Sequence, residues 1–386
     1  MKAEPIYLDY AASTPPDPAV IAAMRDCVDT GVASANPSST HAMGRRAVAA
    51  IETARAQVAR LLHTTPDRVI WTSGATESDN LAIQGIARGR AHRGRHLITM
   101  PTEHKAVTDP FRALEKTGYD VTWLEPGPGG RLEAAALAEA IREDTQLVSV
   151  MHVNNETGVI QDIAGLASIC RERGVLFHCD AAQSAGKLDI DLESLPVDLL
   201  SLTGHKFYGP QGIGALYVAE TARQSLMPIT YGGGQEKRLR PGTLPVHLIV
   251  GLGAAAAVAE KQQADDIAHA RSLKARLVDG LDGIAGLTWN SPEDAYPGIV
   301  NVSAAGVEGE SLMLALEPVC VASGSACNSA TSEPSYVLRA MGLSDIDAQA
   351  AVRFSFGRMT EAGDIDAGVA RYRAALEHLR GIAPAA

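Results

Sequence analysis

Between residues 68 and 218 short apolar runs alternate with helix-patterned stretches, at a spacing of roughly 25 residues. The runs fall at 68–72, 96–100, 121–124, 147–153, 175–179, 197–202 and 213–218. Few folds accept such a pattern. Strand–helix alternation implies a mostly parallel sheet with helices on both faces, an α/β architecture. In sheets of that kind ligands bind outside the carboxyl ends of the strands. Thr76, His104, Asn155, Asp180 and Lys206 each follow one of the runs directly. Five reactive residues are thereby expected at one end of one sheet. From about His247 the pattern changes to an Ala-rich helix, short strands at 299–303 and 352–356, and helices between them. A large domain over 18–250 is expected, with 1–17 and 251–386 forming a smaller α+β domain. Residues 6–18 read as an extended arm ending in a proline turn.

Lys206 lies in S-L-T-G-H-K-F-Y-G-P-Q-G-I-G, on a glycine-rich turn between two apolar runs. A lysine wedged there is partly desolvated, which lowers an ammonium pKa from its free value of about 10.4. A neutral amine condenses with an aldehyde to an imine, and pyridoxal 5′-phosphate (PLP) is the aldehyde enzymes use that way. That cofactor needs a phosphate cradle, an acid facing its pyridine nitrogen and a group against its ring. The run 68–72 leads into Ser73-Gly74-Ala75-Thr76-Glu77-Ser78-Asp79 and a helix. Thr76 is the expected N-cap, with Asp79 three residues on, and a helix start of this kind binds anions. Asp180 suits the pyridine nitrogen, Gln183 the ring phenolate and His104 the ring face. A second glycine-rich, cationic loop runs from Tyr231 to Thr243. Ala322–Ala330 is built of small residues around Cys327, a composition expected of a mobile loop with an exposed, reactive thiol. The planar fork of Arg353 suits a carboxylate.

The remaining numbers exclude other classes. A net charge of −11 disfavours nucleic acid as a direct partner. No run approaches the ~20 apolar residues of a membrane span, and the first residues lack a signal-peptide core. Five cysteines, an odd number without C-x-x-C, suggest neither a disulfide framework nor a metal site; the cytoplasm is the expected location. No dinucleotide or P-loop fingerprint is present.

These residues together resemble the PLP-dependent cysteine desulfurases, a class-V aminotransferase-like group of PLP fold type I. The resemblance covers nearly the whole chain. Its carriers are T-S-G-A-T-E-S-D-N-L-A (72–82), T-E-H-K-A-V (102–107), M-H-V-N-N-E-T-G (151–158), H-C-D-A-A-Q-S-A-G-K (178–187), S-L-T-G-H-K-F-Y-G-P-Q-G-I-G (201–214), G-T-L-P-V-H (242–247), S-G-S-A-C (323–327) and E-P-S-Y-V-L-R-A (333–340). The extended loop around Cys327 is similar to that of the iron–sulfur-cluster enzymes. The resemblance implies that Lys206 carries PLP and that Thr76, Thr203, His205 and the Ala75 backbone hold its phosphate. Thr243 would reach the phosphate of a partner subunit in a homodimer. Asp180 would pair with the pyridine nitrogen and Gln183 with the phenolate. His104 would stack on the ring and move protons, and Asn155 and Arg353 would orient the substrate. L-cysteine would lose its sulfur to Cys327, leaving L-alanine and a persulfide for an acceptor: a cluster scaffold, a sulfur carrier or a tRNA-thiolation pathway.

Three departures stand out. Asn328 takes the place of the family's usual threonine, Pro241 that of a small residue, and the chain stops at Ala386, short of the tail that docks a scaffold. Selenocysteine lyase is the nearest competing activity. An aminotransferase would not need Cys327, and an idle carrier subunit would be expected to have lost Lys206 or Asp180.

Overall fold

The structure, a computed structural model, describes residues 4–323 and 333–382. The arm forms β1 (Ile6–Tyr7) and leads to α1 (Pro18–Asp29) and α2 (Ala42–Leu61). Alternation follows: β2 (Val69–Thr72), α3 (Ala75–Gly89), β3 (His96–Thr99), α4 (Lys105–Glu115), β4 (Asp120–Trp123), α5 (Ala134–Ala140), β5 (Thr145–Met151), α6 (Ile163–Glu172) and β6 (Leu176–Asp180). Then come β7 (Leu199–Thr203), β8 (Gly214–Val218), α7 (Glu220–Arg223) and the long α8 (Val246–Leu281). The last third holds β9 (Leu287–Trp289), β10 (Ile299–Ala304), α9 (Gly309–Ala315), β11 (Val319–Cys320), β12 (Ala322–Ser323), α10 (Tyr336–Ala340), α11 (Asp345–Gln349), β13 (Ala351–Ser355) and α12 (Ala362–Ile382).

The main sheet runs β2-β8-β7-β6-β5-β3-β4. Its pairings are parallel except those of β8, which is antiparallel to β2 and β7. This is the mostly parallel α/β sheet that the alternation implies. Its central strands read as unbroken apolar runs because helices cover both faces. Successive residues face opposite cores: Leu199 packs with Ile83, Ile86 and Phe111 of α3 and α4, while Leu200 packs with Ile51, Val58 and Leu252 of α2 and α8. The helices start where local chemistry allows. Asp17 caps α1 ahead of Pro18, and Asp162 caps α6. In α2 the buried Ala47, Ile51, Ala54, Val58 and Leu61 recur at helical spacing.

A second sheet, β12-β13-β10-β9, is antiparallel and packs on α12 through Val302, Phe354, Ile365 and Tyr372. Leu8 of the arm is buried in that same core, and β1 pairs with β11. α8 contributes Leu252 through Ala259 to the first core and Leu273, Leu277 and Leu281 to the second. The two cores are thus joined inside one helix, and Leu252–Ala259, expected in the smaller domain, pack into the first core. No helix among the described residues is long and apolar enough to cross a membrane.

Candidate active site

A cavity of about 530 Å³ opens at the carboxyl ends of β2, β5, β6 and β7. The arm residues Ala11–Ser13 and Arg353 of β13 complete its wall. Of the residues expected at the site, Ala75, Thr76, His104, Asn155, Asp180, Gln183, Thr203, His205, Lys206 and Arg353 all line it. Thr243 does not; it is exposed on its loop, outside the cavity. Cys327 and Asn328 lie outside the described residues.

The anion turn is built differently from the expectation. Gly74, not Thr76, is the N-cap of α3, and no side chain caps it. Gly74 adopts φ 154°, ψ 178°, backbone that is open to glycine. Asp79 forms no capping box; it is fully buried, because the α3 face it occupies points at the sheet. The acidic partner of the turn is Glu77, which accepts the Ser73 N–H at 2.6 Å and pairs with Arg240 at 2.8 Å. With no side-chain cap, the first-turn N–H groups of α3 and the positive end of its dipole are available to an anion in the cavity. Thr203, the last residue of β7, and His205 stand beside them. Burial and the neighbouring Lys206 hold His205 down to about 4, so its ring is a neutral donor at physiological pH.

Below the opening lies a buried acidic layer. Asp180 ends β6, accepts the Ala182 N–H at 2.8 Å and is almost fully buried. Burial raises its pKa, and the nearby His104 and Lys206 pull it back. Asp79 and Glu103, both fully buried, are pushed well above the usual carboxylate range by burial and by their acidic neighbours. That favours the neutral acid at both positions. His178, held to about 3 by burial, hydrogen-bonds Ser149 and Ser201 and stays neutral. His104 caps α4: its Nδ1 accepts the Ala106 N–H at 3.1 Å, which puts the ring proton on Nε2.

Lys206 follows β7 on a single tight turn, Gly204–Lys206. Its Nζ donates to the carbonyls of Ala11 at 2.5 Å and Ala12 at 2.8 Å. The lysine is therefore aimed by the arm, through neutral backbone oxygens. Gln183 donates to the same Ala11 carbonyl at 2.7 Å and accepts from the buried Lys187 at 3.0 Å. Opposite, Arg353 is 2% exposed; its Nη1 donates to the Asn155 carbonyl at 2.8 Å and its Nη2 to Asp9 at 2.6 Å. Its Nε and the Asn155 Oδ1 have no partner among the described residues. Ala322 and Ser323 of β12 pair with Arg353 and Val352. Further along the chain, Ser335 donates to Glu156 and Tyr336 to the Glu103 carbonyl.

Ala11, Ala12, Lys187 and Glu77 carry parts of the site that sequence patterning did not single out. The arm is almost two hundred residues from Lys206, so no local spacing links them. Lys187 offered one signal, a lysine four residues after Gln183.

The family model Aminotransferase class-V matches residues 6–367. Over 382 residues the chain is 50% identical to the cysteine desulfurase IscS of Photobacterium profundum, covering 98% of this chain and 95% of that protein. Among solved structures, a NifS-like protein superposes with a TM-score of 0.90 at 32% identity, over 97% of this chain and 100% of the other. SspA in complex with cysteine superposes with a TM-score of 0.81 at 38% identity, over 92% and 99%.

Proposed function

The chain belongs to the class-V aminotransferase family, and from that membership we propose how its site works as a cysteine desulfurase. One observation carries the reading: Lys206, Asp180 and Arg353 converge on one cavity, in a chain half identical to a named cysteine desulfurase. The selenocysteine lyase alternative gains nothing from the relatives found.

The residues present fit PLP. An uncapped helix start beside Thr76, Thr203 and His205 suits its phosphate, and Asp180, buried at the end of β6 on the cavity wall, suits a protonated ring nitrogen. Gln183 would meet the phenolate, His104 the ring face, and Lys206 would hold the cofactor. When bound, PLP supplies an electron sink for the substrate carbon that bears the amine.

The protein's own groups do the rest. Arg353 takes the carboxylate of L-cysteine through its guanidinium fork, and Asn155 fixes the amine end. Lys206 is the group that would take the proton from Cα; the Ala11 and Ala12 carbonyls hold its amine at the cavity wall. His104, with its proton on Nε2, is placed to protonate groups at the ring face. The Cys327 thiolate attacks the substrate sulfur. An S–S bond forms, the Cβ–S bond breaks, and its electron pair stays on carbon, where protons complete L-alanine. Cys327 keeps the sulfur as a persulfide for an acceptor protein of iron–sulfur assembly or thiolation. Thr243, exposed and outside its own cavity, serves the phosphate site of a second copy in a homodimer. The four described cysteines are free thiols, which supports a reducing, cytoplasmic setting.

The test supplies L-cysteine and a reductant and follows alanine and sulfide. Wild type yields both. Cys327→Ala loses sulfide release by about 10²–10⁴-fold, the range for removing a reacting group. Sulfide undiminished in that variant would refute the persulfide route.

A further inference from the structure

Lys187 is buried, 7% exposed, in the turn that follows β6. Its amine lies 5.6 Å from the centre of the Tyr296 ring and donates to Gln183 Oε1 at 3.0 Å. The charges that act on it among the described residues are both positive, Lys206 and Arg353. A buried cation without a carboxylate is expensive. Leucine or methionine would fill the same space without that cost, so the amine head serves something besides packing. What it touches is informative. Lys187 presents N–H donors, so it fixes the oxygen end of the Gln183 amide. The nitrogen end must then face Ala11, whose carbonyl can only accept, and it does, at 2.7 Å. That same carbonyl accepts from Lys206 at 2.5 Å. The chain of contacts is continuous: Lys187 to Gln183, Gln183 to the Ala11 carbonyl, Lys206 to that carbonyl from the other side.

We propose that Lys187 is a positioning residue: its amine locks the Gln183 carboxamide with N–H groups toward Ala11 and the cavity, and through the shared Ala11 carbonyl it sets the resting place of the Lys206 amine. The inference rests on the desulfurase reading, because it takes Gln183 and Lys206 as the groups that meet the cofactor. Burial and its two cationic neighbours hold Lys187 to about 7, so at higher pH it is a neutral amine that still donates. That separates the hydrogen bond from the charge.

The experiment compares wild type with Lys187→Met as full-length proteins, each freed of PLP and checked for native circular dichroism. A limiting dose of an amine-acylating reagent is applied at about pH 9, above the range where Lys187 is charged. Labelling of Lys206 is read by peptide mass spectrometry. If Lys187 holds the Ala11 carbonyl in place, labelling of Lys206 in K187M rises about threefold or more as the amine loses its fixed position. In the PLP-loaded proteins the pH at which the visible absorbance changes rises by about half a unit, because a loosened donor to the phenolate favours the protonated chromophore. Equal labelling at that pH overturns the proposal, as does an unchanged absorbance titration. Should K187M fail to fold, Gln183→Leu cuts the same link from its other end and must give the same rise. Failure of the parent reading looks different: wild type itself would then show no chromophore on Lys206 and release no alanine from L-cysteine.

Discussion

Glu156 follows Asn155 in the loop after β5 and is 2% exposed. It accepts from Ser335, the N-cap of α10. Burial raises its pKa from 4.5 to about 7, against the pull of Ser335 and Arg353. A carboxyl with a raised folded-state value binds its proton more tightly in the native chain than in the unfolded one. The stability this contributes is complete below pH 4.5 and is lost as pH climbs through about 7. Glu156→Gln keeps the neutral shape and the acceptor for Ser335 but cannot ionise. The stability of E156Q relative to wild type is therefore expected to grow between pH 4.5 and 7, by about 1–3 kcal/mol, and to level off above. Urea midpoints of both proteins at pH 5 and pH 8 measure it. A difference that does not change with pH would mean that Glu156 titrates alike in the folded and unfolded chains.

At the scale of elements, the anion turn depends on how closely β8 approaches it. Gly214 pairs with Thr72 on one side and Thr203 on the other, at the very end of both strands. A Cβ there would stand 2.5 Å from the Leu202 carbonyl and 2.7 Å from the Gly74 Cα. Both neighbours are backbone, so the strand ends themselves must move. Gly214→Ala is expected to cost about 1–3 kcal/mol of stability. It should also weaken PLP binding about tenfold, as Gly74 and Thr203 are pushed off their positions. Gly363→Ala, in α12, meets nothing within 4 Å and serves as the control. Fluorescence titration of the cofactor-free chains decides it: equal affinities for G214A and G363A would mean that the turn does not hold the phosphate. The elements around this turn were legible in the sequence because strands buried on both faces are nearly uninterrupted apolar runs, and their ends fell within about two residues of expectation. The cap was misplaced at Thr76, since threonine is a strong N-cap and glycine in that place looks like loop. What lets the helix start earlier, without a hydroxyl, is the approach of β8, a tertiary contact with no local trace. The same holds for the arm, for Lys187 and for the fate of Asp79. Each is decided by what lies across the sheet, which spacing along the chain does not encode.

For the molecule as a whole, the question is which chain completes which site. The loop that ends at Thr243 is not held by its own preferences. Glu236, Lys237 and Arg238 take left-handed φ values of 45°, 59° and 66°, unfavourable for each. The buried pair of Arg55 with Glu236, at 2.8 Å, and the pair of Arg240 with Glu77 tie the loop down, and Arg55 also stacks on Trp71. A strained loop so firmly anchored, with an exposed threonine at its end, suits a surface shaped for another copy. In a homodimer each cavity would use Lys206 of one chain and Thr243 of its partner. Lys206→Ala abolishes one requirement, and Thr243→Glu, which sets an anion against the phosphate, abolishes the other. Either homodimer is then inactive. In a hybrid of the two chains both defects fall on one site, and the other site has an intact Lys206 and an intact Thr243. Differently tagged variants, co-expressed and purified through both tags, are expected to recover about half the wild-type activity per dimer. If Thr243 served its own chain's cavity instead, each site of the hybrid would carry one defect and activity would stay at the level of the separate variants. That comparison reads the pairing directly, because neither variant alone supplies a working site.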